Sequence, residues 1–254
     1  KNPENDRAWE DFLLGFARGD DPLWAFLKTD IGADFYWTPE EAFAAAYPEA
    51  PAAACDLTVV VWVLPQPERT RAANRRETFY PADRWARGRV FGEEANEHLR
   101  RHVERTLREA GIPAVAPVLH PQWARVTSQK YGFASRWSER HAAHVAGLGT
   151  FGLCDGLITP KGKAVRIGSL IARAAVPPTP RPYTDHHAWC LHFATGACGK
   201  CVKRCPADAL SKETGHDKAK CRAHIHEAVK PKIPELYGFQ GFGCGLCQTA
   251  VPCE

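Results

Sequence analysis

The cysteines near the carboxyl end constrain this chain more than any other feature. Eight of the ten cysteines in the 254-residue chain fall within its last 65 residues. The first four are separated by seven, two and three residues, and the last three by two and five. The eight positions are Cys190, Cys198, Cys201, Cys205, Cys221, Cys244, Cys247 and Cys253. Eight thiolates are enough to hold two four-iron clusters, so this segment predicts a metal-bound cofactor.

Two other interpretations of these cysteines compete with iron–sulfur clusters. Disulfide frameworks are typical of short secreted domains, whereas these cysteines crowd one end of a long chain. Structural zinc requires two four-ligand groups, and C-x2-C pairs stand at 198/201 and 244/247. The run C-x2-C-x3-C-P favours clusters, because it ends the bacterial ferredoxin signature in which the cysteine before proline binds the other cluster. The Ala-Asp-Ala-Leu that follows it predicts a turn into a helix.

Charge and hydropathy exclude few partners. The chain has 33 basic and 29 acidic residues, a formal net charge of +4, which does not favour obligate nucleic-acid binding. No stretch approaches the ~20 apolar residues of a membrane-spanning helix. Cluster assembly needs reduced thiols, which predicts a cytoplasmic protein. The chain begins at Lys1, and the sequence therefore leaves open whether a leader was removed.

Periodicity divides the chain into three predicted parts. Residues 1–56 are predicted to be helical, with Trp9, Phe12, Leu13 and Phe16 on one apolar face. Thr38-Pro39-Glu40-Glu41 has the residues of a capped helix start. Residues 57–182 are predicted to form an α/β domain, in which the run 57–64 is a strand buried on both faces. Residues 183–254 form the cysteine-rich part.

Within the middle part, residues 65–90 have no clear period but carry seven arginines. This stretch is either a solvated loop or an anion site for phosphate or carboxylate groups. An amphipathic helix is predicted over residues 93–110, followed by a strand over 114–119. The strand–helix–strand order predicts a parallel α/β layer. A second strand is predicted over 165–176.

A helix that follows Ser138 is predicted to run into a glycine segment, residues 147–152. His141 and His144 lie on one face of this helix and form a weak candidate metal pair, because no third ligand is nearby. Cys154 is interpreted as a thiolate near a ligand or as a small core residue. Cys55 is interpreted as a core residue.

The order of these motifs resembles the epoxyqueuosine reductase and reductive dehalogenase superfamily. The resemblance covers roughly residues 57–254 and rests on Ala146–Gly152, Leu157–Pro160, Ile167–Ser169 and Gly243–Gln248. It implies an α/β (α+β) fold: a nitroreductase- or flavin-reductase-like domain with N-terminal helices, followed by a ferredoxin-like module with two [4Fe-4S] clusters. It also implies a corrinoid (cobalamin), with flavin as the alternative. The residues that would line its pocket are Gly147, Leu148, Gly149, Thr150, Gly152, Leu157, Ile158 and Pro160.

The same resemblance implies crossed ligand sets and a departure from the family pattern. Cys190, Cys198 and Cys201 would join Cys253 on one cluster, and Cys221, Cys244 and Cys247 would join Cys205 on the other. Phe133 stands where epoxyqueuosine reductases carry an acidic proton donor, which speaks against reduction of epoxyqueuosine on tRNA. A tyrosine donor is the arrangement of dehalogenase-like members, which points to Tyr131. Glu139 and His141 are further catalytic candidates, each with an ordinary structural role as the alternative.

The resulting hypothesis is an iron–sulfur oxidoreductase that passes electrons through two clusters to a cofactor at Gly147–Gly152. Its partners would be an electron donor (ferredoxin, flavodoxin or a reductase) and a small-molecule substrate of unknown identity. The alternative is a ferredoxin-like relay that serves a partner enzyme and has no substrate site of its own. The enzyme hypothesis predicts an enclosed pocket beside the glycine segment, whereas the relay hypothesis predicts that Phe133, Trp137 and Phe151 fill it.

Overall fold

The computed structural model describes residues 7–254 as a four-stranded sheet with helices on both faces, followed by a C-terminal segment (residues 183–254) of short helices and turns. The elements are β1 (Leu13–Arg18), α1 (Pro22–Ile31), α2 (Pro39–Ala46), β2 (Thr58–Pro65), α3 (Glu68–Arg75), α4 (Asp83–Glu109), β3 (Ala114–Val115), β4 (Arg125–Ser128), β5 (Gly132–Ser135), α5 (Glu139–Val145), β6 (Thr150–Phe151), β7 (Leu157–Ile158), β8 (Val165–Ala172), α6 (Leu191–Thr195), α7 (Lys200–Lys203), β9 (Leu210–Ser211), β10 (Gly215–His216), α8 (Lys218–Ala223) and α9 (Ile233–Tyr237). A π-helical turn (His224–Val229) extends α8. None of the helices in the described range is both long and apolar enough to cross a bilayer.

The sheet has the strand order β1-β2-β8-β3, and every neighbouring pair is antiparallel. Ala172 of β8 lies opposite Thr58 on one side and Ala114 on the other, which fixes the register of the central strand. β2 and β3 therefore run in the same direction without touching. The predicted parallel layer is wrong, because β8 arrives from later in the sequence and separates the two strands.

Strand β2 is buried on both faces, as its continuous apolar sequence predicts. Val59, Val61 and Val63 face a core formed with α1, α2 and α5. Trp62 and Leu64 face a second core, against which Leu99, Val103 and Leu107 of α4 pack. The sheet is thus the layer between two cores, and α4 covers the face nearer the C-terminal segment.

Two helices begin where their capping residues predict. The Thr38 side chain accepts a hydrogen bond from the Glu41 N–H, and the Glu41 side chain accepts from the Thr38 N–H, which completes a capping box at α2. Ser138 likewise caps α5 through the His141 N–H. These caps satisfy backbone N–H groups that the first helical turn leaves without partners.

The first part of the chain is not entirely helical. Leu13–Arg18 form β1, paired with β2 over six residues, so the predicted first helix is wrong there. The three-to-four spacing of Trp9, Phe12 and Phe16 imitates a helix face, but Phe12 is exposed and the backbone pairs with its neighbour. Residues 1–6 of the same prediction lie outside the described range.

Three further predictions differ from the structure. Residues 65–90 are mostly helix, because α3 and the first turns of α4 occupy them. The strand predicted at 114–119 shortens to β3 and a 3-10 turn. After Cys205-Pro206 the chain turns into strand β9 instead of a helix, and Asp208 takes a left-handed conformation (φ 47°) in that turn.

Candidate functional site: thiol groups and an adjoining cationic cleft

Four cysteines of the C-terminal segment pack with residues from the sheet side of the molecule. Cys190 and Cys201 are buried and Cys247 and Cys253 half-buried, all in one apolar cluster with Leu153, Ile158, Leu210 and Val251. Cys253 also lies close enough to Cys190 for their thiols to interact electrostatically. This cluster, together with Cys154 described next, is called the inner thiol group. Its apolar surroundings shield the side chains of Cys190 and Cys201 from water.

Cys154 is a member of the inner thiol group that the ligand prediction missed. It is buried on the turn between β6 and β7, within hydrogen-bonding reach of Cys201 and Cys247. The ammonium of buried Lys163 lies 3.4 Å from its sulfur. Hydrogen bonds from the two neighbouring thiols, with the Lys163 charge, lower the pKa of Cys154 well below its ordinary value. Its place 36 residues before Cys190 left no spacing signal.

Cys205, Cys221 and Cys244 form a second, outer thiol group. Burial, with electrostatic contributions from Cys221 and Cys205, raises the pKa of the Cys244 thiol to about 11. The Ala209 N–H donates to the Cys205 sulfur at 3.4 Å, a contact made possible by the turn at Asp208. Although burial opposes it, hydrogen bonds with Asp155 and Cys221 raise the pKa of His216 to about 9. Polar donors therefore surround this group, as they surround cluster sulfurs in iron–sulfur proteins.

The thiol positions follow the crossed ligand pattern at Cys253 and depart from it at Cys247, which packs in the inner thiol group, and the ligand sets themselves stay a prediction. Cys253 packs with Cys190 and Cys201, whereas Cys205 packs against that same cluster and also acts electrostatically on Cys244, as Cys221 does. Cys198 is half-buried, three residues before Cys201. Cys247 sits between the groups, close to Cys154 and electrostatically coupled to Cys244. Within residues 7–254, no three His, Cys, Asp or Glu side chains converge on a point where a single metal ion would fit.

Buried polar contacts fix the C-terminal segment against α3. The Asn74 amide donates to Thr249 Oγ1 at 3.2 Å, and both residues have no exposed surface. The Arg204 guanidinium donates to the carbonyl oxygens of Asn74 in α3 and Glu77 just after it, and to those of Leu246 and Thr249 from the segment itself. One charged side chain thus satisfies four carbonyls at the junction. These bonds hold the thiol groups in a fixed position relative to the sheet.

A cleft of about 410 Å³ opens between the outer thiol group and the helix–sheet part of the molecule. One wall carries Cys221 and Cys244, and the other carries residues of α4 and β8. We call it the cationic cleft, because its lining contains four arginines, one lysine and two histidines and, in the described part of the chain, no acidic residue. These side chains are Arg89, Arg125, Arg166, Arg222, Lys218, His216 and His226.

Arg89 contributes a half-buried cation to the cleft. Its guanidinium lies 4.8 Å from the centre of the Phe242 ring. Burial, together with repulsion from Arg166 and Arg125 and against the attraction of Glu93, lowers the pKa of Arg89 to about 10. Arg89 is one of the seven arginines in residues 65–90, for which an anion site was one interpretation. The structure puts one of them, Arg89, at this cleft and places the stretch on helices.

The glycine segment is closely packed by the protein itself. Gly147 has a φ of 77°, and a side chain there would meet the Pro180 carbonyl oxygen at 2.5 Å. A side chain on Gly149 would meet the Ile158 carbonyl oxygen at 2.3 Å. Thr150 is fully buried, and its hydroxyl accepts a hydrogen bond from Trp189. The close backbone approach that these glycines allow is therefore to other parts of the chain.

The remaining predicted cofactor residues belong to the same packed unit. β6 pairs with β7, placing Thr150 opposite Ile158 and Phe151 opposite Leu157. Leu148, Gly152, Leu157 and Ile158 are buried, whereas Pro160 is exposed. The β6–β7 turn carries Cys154 into the inner thiol group, so this unit links the predicted cofactor segment to the thiols. Its role in holding a cofactor stays a prediction.

Tyr131 lies at the tip of the β4–β5 hairpin. Its hydroxyl donates to Asp30 Oδ2 at 2.5 Å, and its side chain is 40% exposed. Burial and the Asp30 carboxylate raise the pKa of Tyr131. Lys218 of the cationic cleft donates to the Tyr131 carbonyl at 3.1 Å. Tyr131 thus neighbours a cleft residue without lining the cleft itself.

Glu139 packs beneath the sheet and has an ordinary structural role, with Arg100 and Ser169 as its partners. Arg100 donates to its carboxylate at 3.0 Å, and Ser169 also donates to it. Burial raises the pKa of Glu139, although Arg100 and Ser169 oppose the shift. Neighbouring Arg140 instead donates to the Asp155 carbonyl. Glu139 is part of an internal hydrogen-bond network and not of a cavity wall.

The two histidines of α5 both pack against Phe151 but differ in their other contacts. Burial lowers the pKa of His141 to about 3, and its Nδ1 has no hydrogen-bond partner in the described structure. Its ring packs against Tyr36 and Phe151. His144 pairs with the Gly149 carbonyl at 2.8 Å and stacks on Tyr183. His144 therefore has a packing and hydrogen-bonding role.

The three aromatic residues expected to fill a pocket behave differently from one another. Trp137 is buried, stacks on Trp24 and donates to Ser169. Phe151 is half-buried against the α5 histidines. Phe133 is 46% exposed, with the Arg222 guanidinium 5.0 Å from its ring centre. Cys55, expected in a core, is exposed.

Comparison with known proteins shows which proteins this chain resembles. Over 113 residues, or 43% of the chain, it is 32% identical to the epoxyqueuosine reductase of Synechococcus sp.. Over 63 residues it is 35% identical to the epoxyqueuosine reductase of Cyclobacterium marinum. Over these segments the chain is similar to epoxyqueuosine reductases. The resemblance inferred from the motifs is thereby confirmed, although no protein-family model matches the chain.

The relationship is partial in extent. The matched segments span 32% and 20% of those two relatives' own lengths. A crystal structure of a selenomethionine-labelled epoxyqueuosine reductase superposes on 95% of this chain with a TM-score of 0.52 and 18% identity, and 61% of that protein is covered. The fold is therefore shared along nearly the whole chain, whereas activity and substrate do not follow from the comparison.

Proposed function

We propose that this chain is an iron–sulfur oxidoreductase whose C-terminal thiols bind two [4Fe-4S] clusters and pass electrons to a ligand in the cationic cleft. One observation carries the proposal: the cleft has Cys221 and Cys244 in one wall and arginines of α4 and β8 in the other. A ligand there would lie beside one cluster and within reach of charged side chains. The reductase names of the related proteins are consistent with this chemistry.

The clusters would supply single electrons, and the chain would supply binding, shielding and protons. The apolar side chains around the inner thiol group would keep that cluster from water. His216 and Lys218 bring exchangeable protons to the cleft, with nitrogen atoms 3.0 and 4.0 Å from the Asp155 carboxylate. They are better placed to protonate a cleft ligand than Glu139 or His141, which lie elsewhere. An external donor would reduce the clusters, and their need for reduced thiols favours a cytoplasmic site.

A corrinoid or flavin at Gly147–Gly152, which the resemblance implies, fits the residues poorly. The carbonyl groups of Pro180 and Ile158 occupy the space that Gly147 and Gly149 leave. A flat macrocycle would need an open face at those glycines. We therefore assign the electron acceptor to the cationic cleft and base no step on a corrinoid.

The second candidate function is a relay that serves a partner enzyme. The filled space at the glycine segment favours it, since Trp137 and Phe151 are packed inside as that hypothesis predicts. The exposure of Phe133 and the presence of a separate cleft favour the enzyme.

Anaerobic purification followed by iron, zinc and sulfide analysis tests the proposal. The native chain should contain about eight irons, and Cys205→Ser about four, because one cluster loses a ligand. Cys55→Ser is the matched control and should keep the native iron content, since Cys55 is exposed and outside the C-terminal segment. Electron paramagnetic resonance of the dithionite-reduced protein should show two interacting clusters. About two zincs with no iron would contradict both candidate functions.

A further inference from the structure

The charge of the cationic cleft exceeds what its surroundings neutralise. Arg166 has an ion pair with Glu93, and His216 and Lys218 share Asp155. Arg89, Arg125 and Arg222 also line the cleft, and none of the ion pairs found within residues 7–254 includes them. Arg89 therefore has only the nearby charge of Glu93, which Arg100 and Arg166 already share, and Arg125 and Arg222 face the cavity without an ion-pair partner among the described residues.

The contacts that Arg89 and Arg222 do make are with aromatic rings. Their guanidinium groups lie 4.8 Å from the Phe242 ring and 5.0 Å from the Phe133 ring. Such contacts orient a guanidinium and leave its charge and most of its N–H donors unused. Arg89 is half-buried, and keeping its charge beside that of Arg166 partly out of water is costly unless an anion joins them. The guanidinium fork matches phosphate and carboxylate oxygens in pairs.

The dimensions of the cleft limit the size of such an anion. Its volume of about 410 Å³ lies in the range of roughly 300–1,000 Å³ found for small-molecule sites. Trp85 and Phe242 add apolar wall next to the arginines. A compact molecule with one or two oxyanion groups fits this combination, whereas a long polyanion would need an extended basic surface.

We propose that the cationic cleft binds a small molecule through its phosphate or carboxylate group, with Arg89 and Arg222 as the residues that hold the oxyanion beside Cys221 and Cys244. The inference that this anion is the substrate or cofactor of a reductase rests on the proposed function. The inference that the cleft binds an anion does not depend on that function.

Equilibrium binding to the anaerobically purified, iron-loaded full chain tests the inference. Pyrophosphate and citrate are the probes at low salt, and glucose is the neutral control. We expect one of the two anions to bind, with affinity that falls as salt is added. Arg89→Gln and Arg222→Gln should each weaken binding about tenfold, because each removes a charged hydrogen bond. The matched control is Arg173→Gln, an exposed arginine outside the cleft lining.

The two probes identify the oxyanion, and further readouts keep the outcome decisive. Pyrophosphate binding alone assigns a phosphate site, and citrate binding alone assigns a carboxylate site. Bound anion should alter the paramagnetic resonance spectrum of one cluster in the native chain and not in Arg89→Gln. Circular dichroism checks that the variants are folded.

Three results would overturn the inference: no anion binding by fully iron-loaded protein, equal affinity in native and folded Arg89→Gln/Arg222→Gln protein, or binding of an RNA hairpin with neither small anion. Anion binding by a chain that takes up no iron would instead support the inference while the proposed function fails.

Discussion

Arg100 and Arg89 lie about three turns apart on the same helix, α4, and have opposite surroundings. Arg100 is 2% exposed and forms ion pairs with Glu93 and Glu139 at 2.9 and 3.0 Å. Arg89 faces the cationic cleft beside Arg166 and Arg125 and contacts an aromatic ring. Arg100 is neutralised by carboxylates of the protein itself, whereas Arg89 is the residue for which we propose an anionic ligand. The difference separates a structural cation from a binding cation on one element.

Replacing the structural cation should have the largest effect on stability. Arg100→Met leaves Glu93 and Glu139 without their shared partner in a buried site, and we expect a loss of about 3–5 kcal/mol in the free energy of unfolding. Urea denaturation followed by circular dichroism measures it. Arg101→Met is the control, because Arg101 is exposed and its substitution should cost less than about 0.5 kcal/mol. Equal effects of the two variants would remove the distinction.

Arg166 is the intermediate case, since it lines the cleft and also pairs with Glu93. It donates to the carbonyls of Gly88 and Arg89, each at 3.2 Å. We expect Arg166→Met to lose about 1–3 kcal/mol, from the charged hydrogen bonds that disappear. The same denaturation experiment measures it. A loss as large as that of Arg100→Met would place Arg166 with the structural cations.

The acid stability of the chain should depend on Glu93. Although burial opposes the shift, Arg100 and Arg166 lower the pKa of Glu93 from its ordinary 4.5. Its contribution is therefore fully present above pH 4.5 and is lost as pH falls through the lower, folded-state pKa. Glu93→Gln should be less stable than the native chain at pH 6, and the gap should narrow towards pH 3. Denaturation midpoints at both pH values check this; a constant gap would contradict it.

Replacing the binding cation should have the smallest effect on stability. We expect Arg89→Met to change the free energy of unfolding by less than about 0.5 kcal/mol or to raise it slightly, because repulsion from Arg166 and Arg125 is relieved. Thermal unfolding at low and high salt measures the change. The gain should disappear at high salt, where charges are screened. A loss above about 2 kcal/mol would mean that Arg89 has an internal structural role.

Features carried by neighbouring residues were accessible from sequence. The cap of α2 needs only Thr38, Pro39 and Glu41, and the burial of β2 follows from an uninterrupted apolar run. The spacing of the eight clustered cysteines likewise indicates a metal-bound cofactor. In each case the physical cause acts over a few residues, so the pattern contains it.

Features that depend on distant pairing were not accessible. β1 has helix-like spacing, and its pairing with β2 decides its conformation. Nothing near residues 57–64 indicates that β8 will lie beside them, so the sheet direction was predicted wrongly. Cys154 and the cationic cleft are of the same kind. The cleft draws Arg89 from α4, Arg166 from β8 and Cys244 from the C-terminal segment, and no local pattern shows that the three will meet.

The strand order also has a consequence for synthesis on the ribosome. β2 is complete at Pro65, but β8, which will lie beside it, ends only at Ala172. At about 5–20 residues per second, the roughly one hundred residues between them take on the order of 5–20 s to emerge. During that interval β2 presents an unpaired apolar edge, the kind of surface on which nascent chains associate. Strand β2, which lies inside the finished sheet, is thus an exposed edge strand in the growing polypeptide. The speed of translation sets how long this edge remains exposed.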